Sequence, residues 1–189
     1  CIDACPPHVD LATIGFFLGR PHAGLRLCFG GFDLWGAGKY LERIGYEGDV
    51  ERFIAEVIDV RAGARGILEE IGLLHIDVGS GRIGSRVGVE LVFEVNRQVN
   101  RHLLDTDVLD ALVRKNLADP DKCRWLAAWP GAQRWEDGSS TLYIRRVNHL
   151  KLVFVRDHLV EAKAYFGIRR GLPEFVPAAS VGLFDGEGE

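Results

Sequence analysis

At 189 residues and 21.0 kDa the chain has the size of one ordinary globular domain and can bury a substantial core. With 47% hydrophobic and 26% charged residues it is no disordered chain, and 23 glycines without a three-residue period exclude a collagen-like one. A formal charge of −4 removes the positive field that non-specific nucleic-acid binding needs, so no nucleic-acid partner is expected.

No run reaches the roughly 18 to 20 apolar residues of a membrane span. The most apolar stretch, Leu150 to Val155, carries Lys151 inside it, so no membrane partner is expected either. No basic segment followed by an apolar one marks a signal peptide. The chain opens at Cys1 and has no methionine, which reads as a trimmed or processed product. Cys1, Cys5, Cys28 and Cys123 are too scattered to staple a domain that has its own core, which favours a reducing compartment and a cytoplasmic location. Cys1, Cys5 and His8 offer soft ligands but lack a fourth, so no metal and no cofactor is expected.

Ile14 to Gly19 reads as a strand that turns through Arg20 to Gly24 into the alternating run Leu25 to Phe29, a first hairpin. Asp33 is placed to cap a helix running to Ile44 with Gly45 as its stop, and Asp49 to cap a second. In that second helix Val50, Phe53, Ile54, Val57 and Ile58 share one face. A short helical turn is predicted at Leu68 to Ile71. Leu73 to Val78 and Val87 to Val95 form a second hairpin, joined through Gly79-Ser80-Gly81 and Gly84-Ser85. Helices follow at Val108 to Leu117, begun by Asp105 or Thr106, and from Asp119-Pro120 to Trp129. Gly131 to Ser140 reads as a polar loop. Leu142 to Val155, bent or broken near Asn148, and Leu159 to Ile168 make a third hairpin. The expected fold is α+β: one domain over 1–168 with an antiparallel sheet of about six strands in three hairpins, helix pairs packed on one face, and an extended tail over 169–189.

Strand alternation sorts the side chains into two faces. The apolar set includes Leu27, Phe29, Leu74, Ile76, Val89, Leu91, Leu152 and Phe154, and helices must cover it. The other set holds Arg26 and Cys28, His75 and Asp77, Glu90 and Glu94, Tyr143 and Arg145, His149 and Lys151, and Glu161, Lys163 and Tyr165. Two readings of this second face stand: it meets water with ordinary cross-strand ion pairs, or the sheet curls so that Arg26, Lys151 and Lys163 converge on an anion beside Tyr143 and Tyr165.

The recurring unit of two strands and two helices resembles the ABBA prenyltransferases, as does the pair of strands His149-Leu150-Lys151-Leu152-Val153-Phe154 and Glu161-Ala162-Lys163-Ala164-Tyr165-Phe166. The resemblance spans 14–168 as architecture. It implies an antiparallel barrel ringed by helices, whose inward Arg, Lys and Tyr side chains bind an allylic diphosphate. The family's barrel holds more units than this chain supplies, so the expectation here is a partial or small barrel. On that reading Arg26, Tyr143, Lys151, Lys163 and Tyr165 bind substrate and Glu90 takes the proton of an aromatic or peptide acceptor. His75 and Asp77 stand in reserve for acid-base work. The expected partner is a small-molecule or peptide substrate. The competing expectation is a non-catalytic ligand- or peptide-binding accessory protein of a bacterial biosynthetic pathway, using the same face. No G-x-G-x-x-G, Walker loop, G-x-S-x-G or H-E-x-x-H supports another chemistry.

Overall fold

The computed structural model describes residues 2–17, 24–62, 71–93, 106–134 and 142–171. The helical turn read at Leu68 to Ile71 falls almost wholly outside them, as do Cys1, Glu94 and most of the tail expected over 169–189, whose first residues, Arg169 to Gly171, are instead the end of a strand. A 3-10 turn at Ile2–Ala4 precedes β1 (Asp10–Phe16) and β2 (Leu25–Gly30). Helices α1 (Leu34–Arg43) and α2 (Val50–Arg61) lead to β3 (Leu73–Gly79) and β4 (Arg82–Val92). Helices α3 (Thr106–Arg114) and α4 (Pro120–Ala128) then lead to β5 (Gly131–Arg134), β6 (Leu142–Val155) and β7 (His158–Gly171). The α+β class and the alternation of hairpins with helix pairs are as the sequence predicts.

Helices α1, α2 and α4 start where a short polar side chain satisfies free amides. Asp33 accepts from the Gly36 amide, Asp49 from the Arg52 amide at 2.9 Å, and Asp119 from Asp121 and Lys122 at 2.9 and 3.1 Å. Gly45 ends the turn after α1 at φ +78°, a conformation that disfavours any Cβ. Gly38 lets α1 and α2 pack closely, because a Cβ there would stand 2.7 Å from Ile54 Cδ1.

All seven strands pair antiparallel in the order β1-β2-β3-β4-β6, with β7 along the far side of β6. The sheet is open, and among the described residues β1, β5 and β7 each pair with one neighbour only. One difference from the sequence reading is β5, which occupies part of the predicted loop. β4 pairs only with His149 to Val155, so the first residues of β6 would present an unpaired edge, and Gly131–Arg134 covers it against Leu142 to Arg145. A second difference is in the middle hairpin. Its turn is Ser80-Gly81, both at positive φ, and Gly84-Ser85 belong to β4. The bend predicted near Asn148 is a register shift between Val147 and His149 within a continuous β6.

Rows of apolar residues run across the sheet: Phe29, Leu74, Val89, Leu152 and Ala162 are successive partners, and Leu27, Ile76, Val87 and Phe154 form the next row. The helices cover these rows, with Phe29 against Tyr40 and Phe53 against Phe154 at ring distances of 5.4 and 4.8 Å. Every apolar contact on this side leaves the opposite side of the same strands to the polar residues.

Candidate functional site

The sheet curls about its polar face. Arg26 on β2 and Tyr165 on β7 are four strand spacings apart, about 19 Å in a flat sheet, yet they line one cavity together with Asp77, Arg86, Gly88, Lys151, Val153 and Lys163. The cavity measures about 30 Å³, room for ordered water or a few oxygens of an anionic group. Polar side chains at the bottom of the curl are buried as deeply as core residues: Lys151 is 5%, Glu90 7% and His75 8% exposed.

Four cations line this cavity against a single carboxylate. Arg26 holds that carboxylate in a fork, Nε to Asp77 Oδ1 at 2.7 Å and a terminal nitrogen to Oδ2 at 2.9 Å, which raises the guanidinium further above its ordinary range. Arg86 and Lys163 reach Glu161 at 2.6 and 3.2 Å. Burial raises the Glu161 carboxyl, but Lys163 and Arg86 outweigh it and hold the group below its usual value. Among the described residues Lys151 has neither a hydrogen bond nor an ion pair. Its stem lies across the bare backbone of Gly88, where a Cβ would come 2.5 Å from Lys151 Cε. Desolvation, then Arg26, lowers the ammonium to about 8.

Beside the cavity, three neighbouring strands contribute a connected row. Cys28 on β2 is the register partner of His75 on β3, and Cys28 Sγ lies 3.1 Å from His75 Nδ1. His75 Nε2 lies 2.6 Å from Glu90 Oε1 on β4. A carboxylate can only accept, so Nε2 carries the proton and Nδ1 is left to accept from the thiol. His149 Nε2 stands 3.4 Å from the same Glu90 oxygen, and its ring stacks on Tyr165 at 4.4 Å. Burial lowers the His149 imidazole and so favours its neutral form. Burial also raises the Cys28 thiol, against the pull of Lys151 and Arg26.

Of the residues singled out in the sequence, Arg26, Asp77, Lys151, Lys163 and Tyr165 gather around the one cavity, and His75 with Glu90 adjoins it. Tyr143 does not join them. It sits eight residues before Lys151 on β6, roughly 26 Å along the strand, and with Gln133, Arg145 and Ile168 lines a separate cavity of about 290 Å³. Cys28 and His149 were visible on the polar face but carried no assigned role. Their signal is the register, which places Cys28 against His75 and His149 two positions from Lys151.

A larger apolar groove of about 710 Å³ lies on the opposite, helix-bearing side, between α3–α4 and β6–β7, with Trp129 and Phe166 edge to face at 5.4 Å. Among the described residues no three His, Cys, Asp or Glu side chains are grouped to hold a metal ion, and no helix is long and apolar enough to cross a membrane. The chain matches no family model, no curated protein and no solved structure.

Proposed function

We propose that the concave face binds the phosphate-bearing head of a small-molecule substrate, and that the reaction it serves is transfer of a prenyl group from an allylic diphosphate to an aromatic or peptide acceptor. The observation that carries this reading is Lys151, a buried lysine with no hydrogen bond or ion pair among the described residues, in a cavity where three further cations face a single carboxylate. An unpaired buried charge costs several kcal/mol, and an anion in the cavity offsets that cost. Ionisation of an allylic diphosphate develops negative charge on the leaving group. Lys151 and Lys163 meet it directly and Arg26 contributes through its field, since its fork is already engaged by Asp77. Tyr165 donates a hydrogen bond to the same group. Glu90, with His75 as the adjoining proton carrier, takes the proton released by the acceptor. The setting proposed is the bacterial cytoplasm.

One observation favours the second reading, a non-catalytic binding protein: a cavity of about 30 Å³ receives an anionic head but not a prenyl chain and an acceptor together. A single titration addresses both. Thermal unfolding is followed with inorganic pyrophosphate and with dimethylallyl and geranyl thiolodiphosphates, using added salt as control. At a hundredfold excess over Kd, linkage gives about 2.7 kcal/mol, or several degrees for a domain of this size. A saturable shift lost in Lys151→Met supports the anion site, and turnover with the natural diphosphates that is lost in Glu90→Gln then separates enzyme from binder. No shift at millimolar ligand overturns both readings.

A further inference from the structure

Anion binding leaves one member of the buried row unused, the thiol of Cys28. Cys28 is 6% exposed and burial raises its thiol, so it is no standing thiolate, and its activation comes from a neighbouring base. His75 Nδ1 is 3.1 Å from the sulfur, and Glu90, 2.6 Å from Nε2, fixes the tautomer that leaves Nδ1 free to take a proton. The order thiol, imidazole, carboxylate is set by three adjacent strands, so packing on the far side of the sheet holds it rigid. The second, independent observation is Lys151, a residue 5% exposed on the same concave face with no hydrogen bond or ion pair among the described residues, which marks where negative charge on an incoming molecule would be held.

We propose that Cys28 is a nucleophile, with His75 as its base and Glu90 orienting that base, and that it is a site of covalent modification by carbon electrophiles bearing an anionic group. The preference for an anionic electrophile rests on the anion-binding reading of the concave face; the activation of the thiol does not. In the step, the sulfur attacks the electrophilic carbon and a C–S bond forms. The bond from that carbon to the leaving group breaks, the leaving group departs with its electron pair, and the thiol proton passes to His75 Nδ1 and then to solvent. The product is a thioether with a neutral sulfur, which keeps the anionic group of the electrophile unless that group is the one that leaves.

Iodoacetate and iodoacetamide test this on the full chain, because they share a reacting carbon and a leaving iodide and differ in charge. The chain is treated with each reagent near neutral pH, and every cysteine is quantified by peptide mass spectrometry against time. Cys28 is expected to react faster with iodoacetate than with iodoacetamide, whereas Cys5 and Cys123, which lack the row, serve as references without that preference. His75→Gln is expected to slow Cys28 roughly 100-fold, the lower end of what a positioned base contributes. Glu90→Gln keeps the shape of the row and is expected to slow it by less, which guards against a fold defect in the first variant; circular dichroism checks both. Pyrophosphate is expected to protect Cys28 from iodoacetate. Alkylation of Cys28 no faster than Cys123, or a rate unchanged in both variants, overturns the nucleophile. Equal rates with the two reagents overturn the anionic preference, and a pyrophosphate thermal shift alongside an inert Cys28 removes this inference while leaving the anion site standing.

Discussion

Lys151 occupies the space that a side chain at Gly88 would fill: a Cβ on Gly88 would lie 2.5 Å from Lys151 Cε and 3.3 Å from Nζ. The absence of a side chain on β4 is therefore what lets the ammonium of β6 lie flat along the concave face toward Arg26. Gly88→Ala is expected to push the flexible end of Lys151 aside with little loss of stability, within about 1 kcal/mol. Its neighbour His75 Cβ is at an ordinary 3.4 Å. The same variant is expected to weaken pyrophosphate binding several-fold. Calorimetric titration of wild type and variant measures this, and unchanged affinity would show that Lys151 does not need its present position to hold an anion.

Lys151 also gives the fold a defined pH dependence. Its ammonium is lowered from 10.5 to about 8, so between those values the unfolded chain binds more protons than the folded one. Stability from this group therefore rises as pH climbs from about 8 to 10.5, and the penalty is fully present below pH 8. Lys151→Met removes the penalty. The variant is expected to be more stable than wild type at pH 7 by up to about 3 kcal/mol, with the gap closing by pH 10. Comparing the two chains by urea unfolding at each pH cancels the thiols and phenols that also titrate there. A variant less stable at both pH values would refute the buried-charge account.

Tyr46 ties two turns to strand β4. Its single hydroxyl proton goes to Arg156 O in the turn between β6 and β7, and Ser85 O, just before β4's buried half, shares it at 3.3 Å. Gly48 permits this closeness, since a Cβ there would stand 2.6 Å from Arg156 O. Ser85 O keeps a second donor, the Arg156 amide at 2.7 Å, so Tyr46→Phe strands the Arg156 carbonyl more than the Ser85 one. The expected loss is about 1–2 kcal/mol in denaturant unfolding, with the far-ultraviolet spectrum unchanged. A larger loss from Tyr46→Phe than from a core truncation such as Phe53→Ala, about 3–5 kcal/mol, would mean the hydroxyl does more than these bonds account for.

What the sequence makes legible follows from the range of the interactions involved. Asp33, Asp49 and Asp119 announce helix starts because capping is satisfied within three residues. Alternation from Leu25 to Phe29 and from Leu150 to Phe154 sorts the two faces because it depends only on the pleat. Strand β5 is not legible, because Gly131–Arg134 is recruited by an edge of β6 that exists only once β4 has stopped pairing. The site shows the same division. Placing Arg26, Lys151 and Lys163 on one face needs only local periodicity. The bidentate engagement of Arg26 by Asp77, the His75 link between Cys28 and Glu90, and the separation of Tyr143 depend on strand order and register. Those are set by contacts far apart in the chain, as 51 positions separate Arg26 from Asp77.

The Arg26–Asp77 pair offers the clearest test of how the cavity sets its own field. Asp77 is the only carboxylate among the described residues lining it, and it spends its charge on the guanidinium that would otherwise face an anion. Asp77→Asn removes that charge while leaving one oxygen to accept from Arg26, so the side chain stays in place. Pyrophosphate affinity is expected to rise about fivefold, the effect of about 1 kcal/mol of relieved repulsion at the effective dielectric of a partly buried site. The gain should shrink as salt is raised from tens to hundreds of millimolar, because the pair retains some exposure to solvent. Folding stability should move the other way, since the variant gathers four cations with no counter-charge in the cavity wall; the loss should be recovered when pyrophosphate is added. If Asp77→Asn instead lowers affinity, Asp77 holds Arg26 in its binding geometry rather than competing with the ligand, and the anion is coordinated by the fork as a whole.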